Sequence, residues 1–367
     1  MIHFLLLLTI CDVAASKDQT SKIEEIAKIV ATYEKLFSNC EIEYIDDCRL
    51  IDPTYASPRR AIMSHGEERI VRQGRYFYRL AKSTGALVEG GTAGFYTNSC
   101  FDGEKMVGYA VDPTVPGGVG STTISDTYPR VQSAEYLTPY RLPLSIQRVS
   151  PPLSDYLLGS ESISIDPMFL GISVHPKYIG TEEIDGLRCE KFEMEIKKKQ
   201  KPNVSIKHLL WLAIERNYLP IRFEDFNMMN DRQAPVSIAK SEDIREIEPG
   251  IWCPHNVVML FYEHAPYNEE KKLVLEGERV YKLKFLDFKP NHPKEFFQSV
   301  KIPEGSEVYI RKNGQIVDRY TKGLAKPQSV APQKSTWKWV IVGVAIVFAC
   351  VIAATIFFRN RKRASFN

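Results

Sequence analysis

Alternation of apolar and polar residues with a period of two narrows what this chain can fold into more than any other feature. Lys191–Lys197 alternates without exception, with Phe192, Met194 and Ile196 on one side and Glu193, Glu195 and Lys197 on the other. Arg279–Phe285 repeats the pattern, setting Tyr281, Leu283 and Phe285 against Lys282 and Lys284. Gly74–Leu80 places Tyr76, Tyr78 and Leu80 on one face, and Leu219–Glu224 places Leu219, Ile221 and Phe223 opposite Arg222 and Glu224. Such strands belong to antiparallel sheets with one buried and one wet face. Asp185-Gly186 and Asn313-Gly314 are hairpin signals, because both residue types tolerate positive φ; the second lies inside a small hairpin, Val308–Val317.

Helical periodicity is confined to the N-terminal part. Ser21-Lys22-Ile23-Glu24 has the form of a capping box, and Ile23, Ile26, Ile29, Val30, Tyr33, Leu36 and Phe37 then make one apolar stripe. A second, short helix is expected at Leu153–Leu158, while Asp112–Ser125, rich in Gly and Pro, is expected to be irregular. No internal repeat is present. Many strands, one leading helix and no strand–helix–strand alternation give an α+β fold built on one large antiparallel sheet.

The two ends specify a topology. Trp339–Phe358 runs for 20 residues without a charge, about 30 Å of helix, enough to cross a bilayer. Trp337 and Trp339 suit the interface at one end, and Arg359, Arg361, Lys362 and Arg363 mark the other end as cytoplasmic. Phe4–Ile10 is a short apolar run followed by small residues, the form of a signal peptide with cleavage near Ser16; lipidation of Cys11 or retention of the segment are the alternatives. The expected layout is a leader 1–16, an extracytoplasmic domain 17–300, a hairpin extension 301–320, a linker 321–336, a transmembrane helix 337–358 and a tail 359–367. The tail is too short to form a domain, so any signal would pass through a membrane protein partner.

Removing the four basic tail residues from the net charge of +3 leaves −1, which gives no electrostatic footprint for nucleic acid. Five of the seven cysteines fall in the exported part, where one or two disulfides are expected and at least one thiol is left over. Nucleophile elbows, paired zinc histidines and phosphate-binding loops are absent from the sequence, and the histidines are scattered singly. No catalytic residue, metal site or cofactor is expected.

Arg75–Arg79, Phe101-Asp102-Gly103-Glu104-Lys105 and Leu210–Asp225, in that order after the leading helix, resemble the LolA-like and RseB-like lipoprotein-carrier family of the bacterial envelope. The likeness spans Ser21–Phe288, and Ile302-Pro303-Glu304-Gly305 opens an addition seen in some large envelope proteins. The resemblance implies an unclosed barrel, a curved sheet with an apolar concave face, and a ligand that is a lipid or the acyl chain of a lipoprotein. It places the chain in the cytoplasmic (inner) membrane with its domain in the periplasm, as a chaperone or envelope sensor. Tyr76, Tyr78, Phe192, Met194, Trp211, Phe223, Tyr281, Leu283 and Phe285 are the candidates for that face. A tethered protein cannot shuttle, which favours a stationary binding module. The other reading is a structural or protein-interaction ectodomain with a filled core.

Overall fold

The computed structural model describes residues 2–52, 61–87, 90–114, 118–126, 138–147, 152–159, 172–198, 201–227, 234–263 and 272–324. One compact unit covers Met1–Lys322; of the second, Gly323–Asn367, only Gly323 and Leu324 are described. The expected span Trp339–Phe358, the tail and the linker from residue 325 on therefore lie outside the described residues. Among those residues no helix is long and apolar enough to cross a membrane.

Helix α1 runs from Ile2 to Leu36 without a break. Ser21 lies inside it, so the Ser-x-x-Glu sequence does not open the helix: the residues before it are helical too. Of the apolar stripe, Ile23, Ile26, Val30 and Phe37 are buried, Ile29 and Tyr33 pack against the core, and Leu36 is exposed.

Among the described residues fifteen strands follow: β1 (Glu41–Leu50), β2 (Ala61–Gln73), β3 (Tyr76–Leu87), β4 (Thr92–Phe101), β5 (Met106–Val111), β6 (Ser121–Ser125), β7 (Ile172–Ile184), β8 (Leu187–Lys198), β9 (Lys201–Ala213), β10 (Leu219–Asn227), β11 (Ser237–Glu248), β12 (Ile251–Tyr262), β13 (Leu275–Asp287), β14 (Glu307–Lys312) and β15 (Gln315–Thr321). They form one sheet in the order β15-β14-β6-β5-β4-β3-β2-β1-β13-β12-β11-β10-β9-β8-β7. Every pairing is antiparallel except β14 with β6. The sheet begins at β15 and ends at β7 without closing on itself, as the unclosed antiparallel fold requires. Both Asp-Gly and Asn-Gly signals are hairpin turns, with Asp185, Gly186, Asn313 and Gly314 all at positive φ.

The main core joins α1, the short helix α2 (Leu153–Leu158) and a 3-10 turn, Leu142–Gln147, to one face of the sheet, here called the inner face. Side chains paired across neighbouring strands share a face, so the register identifies that face strand by strand. Phe192, Met194, Leu210, Phe223 and Ala239 are wholly buried on it. Two smaller cores lie on the outer face. Val71, Tyr78, Cys100 and Phe297 pack beneath a second 3-10 turn, Lys294–Gln298, and Cys189, Trp211, Ala213 and Ile221 make the other.

Two expectations are corrected. Ser121–Ser125, inside the stretch expected to be irregular, is strand β6, held between its antiparallel neighbour β5 and the parallel β14, which begins at Glu307; its Ser-Thr-Thr-Ile-Ser sequence has no apolar alternation to mark it. The expected disulfides do not form: Cys40, Cys100, Cys189 and Cys253 are buried thiols. Cys40, Cys100 and Cys189 belong to three different cores, which keeps them apart. Burial pushes the Cys40 thiol up to about 11.

Candidate functional site

The inner face changes character along the sheet. Beneath α1 and α2, from β7 to β12, it is apolar and filled. Along β13, β1 and β2 it passes from apolar to polar over a few cross-strand rows, while β3 already places Arg79 in the first of them. The row Ile42, Ile70, Arg79, Ser99 is followed by Tyr44, Glu68, Ala81, Thr97, then by Asp46, Gly66, Ser83, Phe95. Cys48, Ser64, Gly85 and Ala93 make the next row, and β13 adds Leu283 beside Tyr44, Tyr281 beside Asp46 and Arg279 beside Cys48.

The small residues leave room above the strands. At Gly85 the neighbouring strand β2 comes so close that a Cβ would stand 2.6 Å from the Met63 carbonyl oxygen, so no larger residue fits without movement. Over this floor lies a cavity of about 360 Å³, lined among others by Asp46, Glu68, Arg79, Ser83, Phe95 and Arg279. That volume falls within the range of small-molecule sites, about 300–1,000 Å³.

Two ion pairs dominate its electrostatics. Arg279 donates from Nε and Nη2 to the two oxygens of Asp46, at 2.7 and 2.5 Å, and its guanidinium lies 4.8 Å from the Tyr281 ring centre. Arg79 donates from Nε to Glu68 Oε1 at 2.5 Å. Glu68 retains 13% of its side-chain exposure and Asp46 17%. Burial pushes the Glu68 carboxyl above its ordinary range against the opposing pull of Arg79. At Arg279 burial works against the charge, but the hydrogen bonds it donates to Asp46 outweigh it, so the guanidinium is held firmly protonated. Burial also keeps Tyr281 protonated.

A second set of polar groups fastens the helices over the apolar half. The Tyr156 hydroxyl meets His208 Nδ1 at 2.5 Å, and His208 Nε2 lies 3.2 Å from Asp225 Oδ1, all three side chains being buried. Glu190 accepts from Tyr178 at 2.6 Å and Thr181 at 3.0 Å, and pairs with Lys22 of α1 at 3.4 Å. Burial, by disfavouring the phenolate, raises Tyr156 well above its ordinary value. Among the described residues no group of His, Cys, Asp or Glu could hold a metal ion.

The nine apolar candidates do not share one face. Phe192, Met194, Phe223, Tyr281 and Leu283 lie on the inner face, in or against the main core. Tyr76 and Tyr78 do share a face, but it is the outer one, where they stack near Phe297 and Phe296; the inner residues of β3 are Phe77 and Arg79. Trp211 is also outer, donating to Glu182 beneath Lys191. A bulge moves Phe285: Tyr44 pairs with Leu283 and Glu43 with Phe285, so Lys284 is an extra residue. Phe285 emerges on the outer face, 44% exposed.

The cavity residues carry a signal in the sequence. Asp46 has the parity of Ile42 and Tyr44, and Arg279 has the parity of Tyr281 and Leu283. A charged residue on the buried parity of a strand marks either a paired core charge or a site.

No family model matches the chain, and no curated protein matches it. Among solved structures it is similar to a DUF1329 family protein from Desulfovibrio piger, at 12% identity over 76% of this chain and 97% of that one, with a TM-score of 0.40. It is similar also to an outer membrane lipoprotein-sorting protein domain from Vibrio parahaemolyticus, at 12% identity, 76% and 97% coverage and a TM-score of 0.36. Lipoprotein LppX from Mycobacterium tuberculosis matches at 10% identity, 71% and 93% coverage and a TM-score of 0.23.

Proposed function

We propose that this chain is a stationary, non-catalytic binding module that holds an amphiphile, a lipid or the acyl chain of a lipoprotein, on the inner face of its sheet. The anchor Trp339–Phe358 would keep the module at the outer surface of the cytoplasmic membrane. The supporting observation is the continuity of that face. Ile42, Ile70, Tyr44 and Tyr281 belong to the main core, and the residues two positions further along the same strands open into a cavity with charged walls. A molecule with an apolar body and a polar end matches that gradient.

A different observation favours the filled-core reading. Phe192, Met194, Leu210 and Phe223 have no exposure at all, so the half of the sheet beneath α1 has no space to offer. The ligand position is therefore the β1–β4 end, and a sheet without a ligand would use its surface for protein contacts alone.

Stripping the full-length protein of bound lipid and reloading it, with mass spectrometry of the complex, separates the two. Uptake of about one lipid per chain, abolished by Ser83→Phe in the cavity wall, supports the module. Failure to take up lipid, or uptake that Ser83→Phe leaves unchanged, overturns it.

A further inference from the structure

The charges of the cavity identify the polar end of such a ligand. Resting on the amphiphile reading above, we propose that the cavity takes an anionic head group, a carboxylate or a phosphate, on the guanidinium groups of Arg79 and Arg279.

Geometry carries the first part. Arg79 and Arg279 come from β3 and β13, on opposite sides of β1 and β2, yet both line the same cavity and both act on the Glu68 carboxylate. A guanidinium has five N–H donors in a planar fork that matches carboxylate and phosphate oxygens. Asp46 takes two of those on Arg279.

Charge carries the second part. The cavity is lined by three cations and three carboxylates; Lys82 and Glu67 pair with each other at 2.8 Å, which leaves Arg79, Arg279, Asp46 and Glu68, and of these Glu68 is the carboxyl whose neutral form burial favours. A guanidinium is a fixed cation, and Asp46 is tied to Arg279 through both oxygens. Glu68 is the yielding member, with Tyr44 and Asp46 facing it from β1, Arg79 from β3, and Arg279 and Tyr281 from β13. Burial already favours its neutral form. An incoming anion displaces Glu68 from Arg79, and Glu68 takes up a proton, so two guanidiniums face Asp46 and the ligand. A cationic head group would meet Arg279 with no comparable exchange open to it. Anion binding therefore strengthens as pH falls toward the ordinary carboxylate range.

The test uses the full-length protein in phosphatidylcholine nanodiscs and three twelve-carbon photoreactive probes: dodecanoate, dodecyl phosphate and dodecanol. Inorganic phosphate serves as competitor. The expected result is labelling of β2 and β3 by both anionic probes at about tenfold lower concentration than by dodecanol, the worth of one charge-assisted contact. Arg79→Gln should erase that advantage. Glu68→Gln, which keeps the shape and frees Arg79, should tighten the anionic probes and leave dodecanol unchanged. Inorganic phosphate should not compete.

Equal labelling by dodecanol and dodecanoate, or no effect of Glu68→Gln, would overturn the anionic head group while leaving the amphiphile module standing. Full competition by inorganic phosphate would overturn it in favour of a free-anion site. Labelling by none of the three probes would overturn the amphiphile reading itself.

Discussion

Glu34 does for α2 what a capping residue in the preceding loop does elsewhere. Pro152 precedes the helix and offers no side-chain cap. The Glu34 carboxylate accepts instead from the amides of Leu153, at 2.6 Å, and Ser154, at 3.1 Å, and from the Ser154 hydroxyl at 2.7 Å. Glu34→Ala is expected to cost about 1–3 kcal/mol in equilibrium unfolding of the full chain, since it leaves those donors unmet. This role is illegible in the sequence, because the partners lie 119 and 120 residues apart. The Asp102-Gly103 turn between β4 and β5 is legible for the opposite reason: all its determinants are local. Gly103 takes positive φ, and Asp102 Oδ1 accepts from the amides of Glu104 and Lys105. Burial works against the Asp102 charge, but those amides and Gln298 outweigh it and hold the carboxyl below its ordinary value. A lowered carboxyl stabilises the fold above its unfolded value, about 3.9, and the benefit is lost as pH falls through the lower folded value. Acid unfolding of Asp102→Asn should therefore begin from a lower stability at pH 6 and fall less steeply below pH 4 than that of the wild type.

At the scale of elements, period-two patterns revealed strands and their alternation but not which face is inner. Tyr76 and Tyr78 look like core residues and are, yet their core is the outer one beneath Lys294–Gln298. Only the pairing of Phe77 with Phe101, and of Arg79 with Ile70, settles the matter, and pairing is long-range information. The bulge at Lys284 is equally silent in Arg279–Phe285, whose alternation is perfect by eye. The segment after β13 crosses the outer face and delivers β14 to the edge of β6, so its packing holds the hairpin extension in the sheet. Phe297, wholly buried and 5.2 Å from Tyr76, is the main apolar contact of that crossing. Phe297→Ala should cost about 3–5 kcal/mol, and limited proteolysis should then cut within 288–306 before it cuts elsewhere.

At the scale of the whole molecule, the proposed holder would have a fixed ligand position, because helices fill one end of the inner face and leave the other open. The apolar half supplies rigidity, and the rows from Tyr44 to Cys48 supply the gradient from apolar to charged. The most direct measurement is a crystal structure of the protein soaked with 12-bromododecanoate, with the bromine located by its anomalous signal. A single ligand is expected over Ala81 and Gly66, its carboxylate within hydrogen-bond distance of Arg79 or Arg279 and its bromine toward Tyr44 and Tyr281. Bromine found only on the outer face, near Phe285 or Trp211, or a cavity that stays empty at saturating ligand, would contradict it.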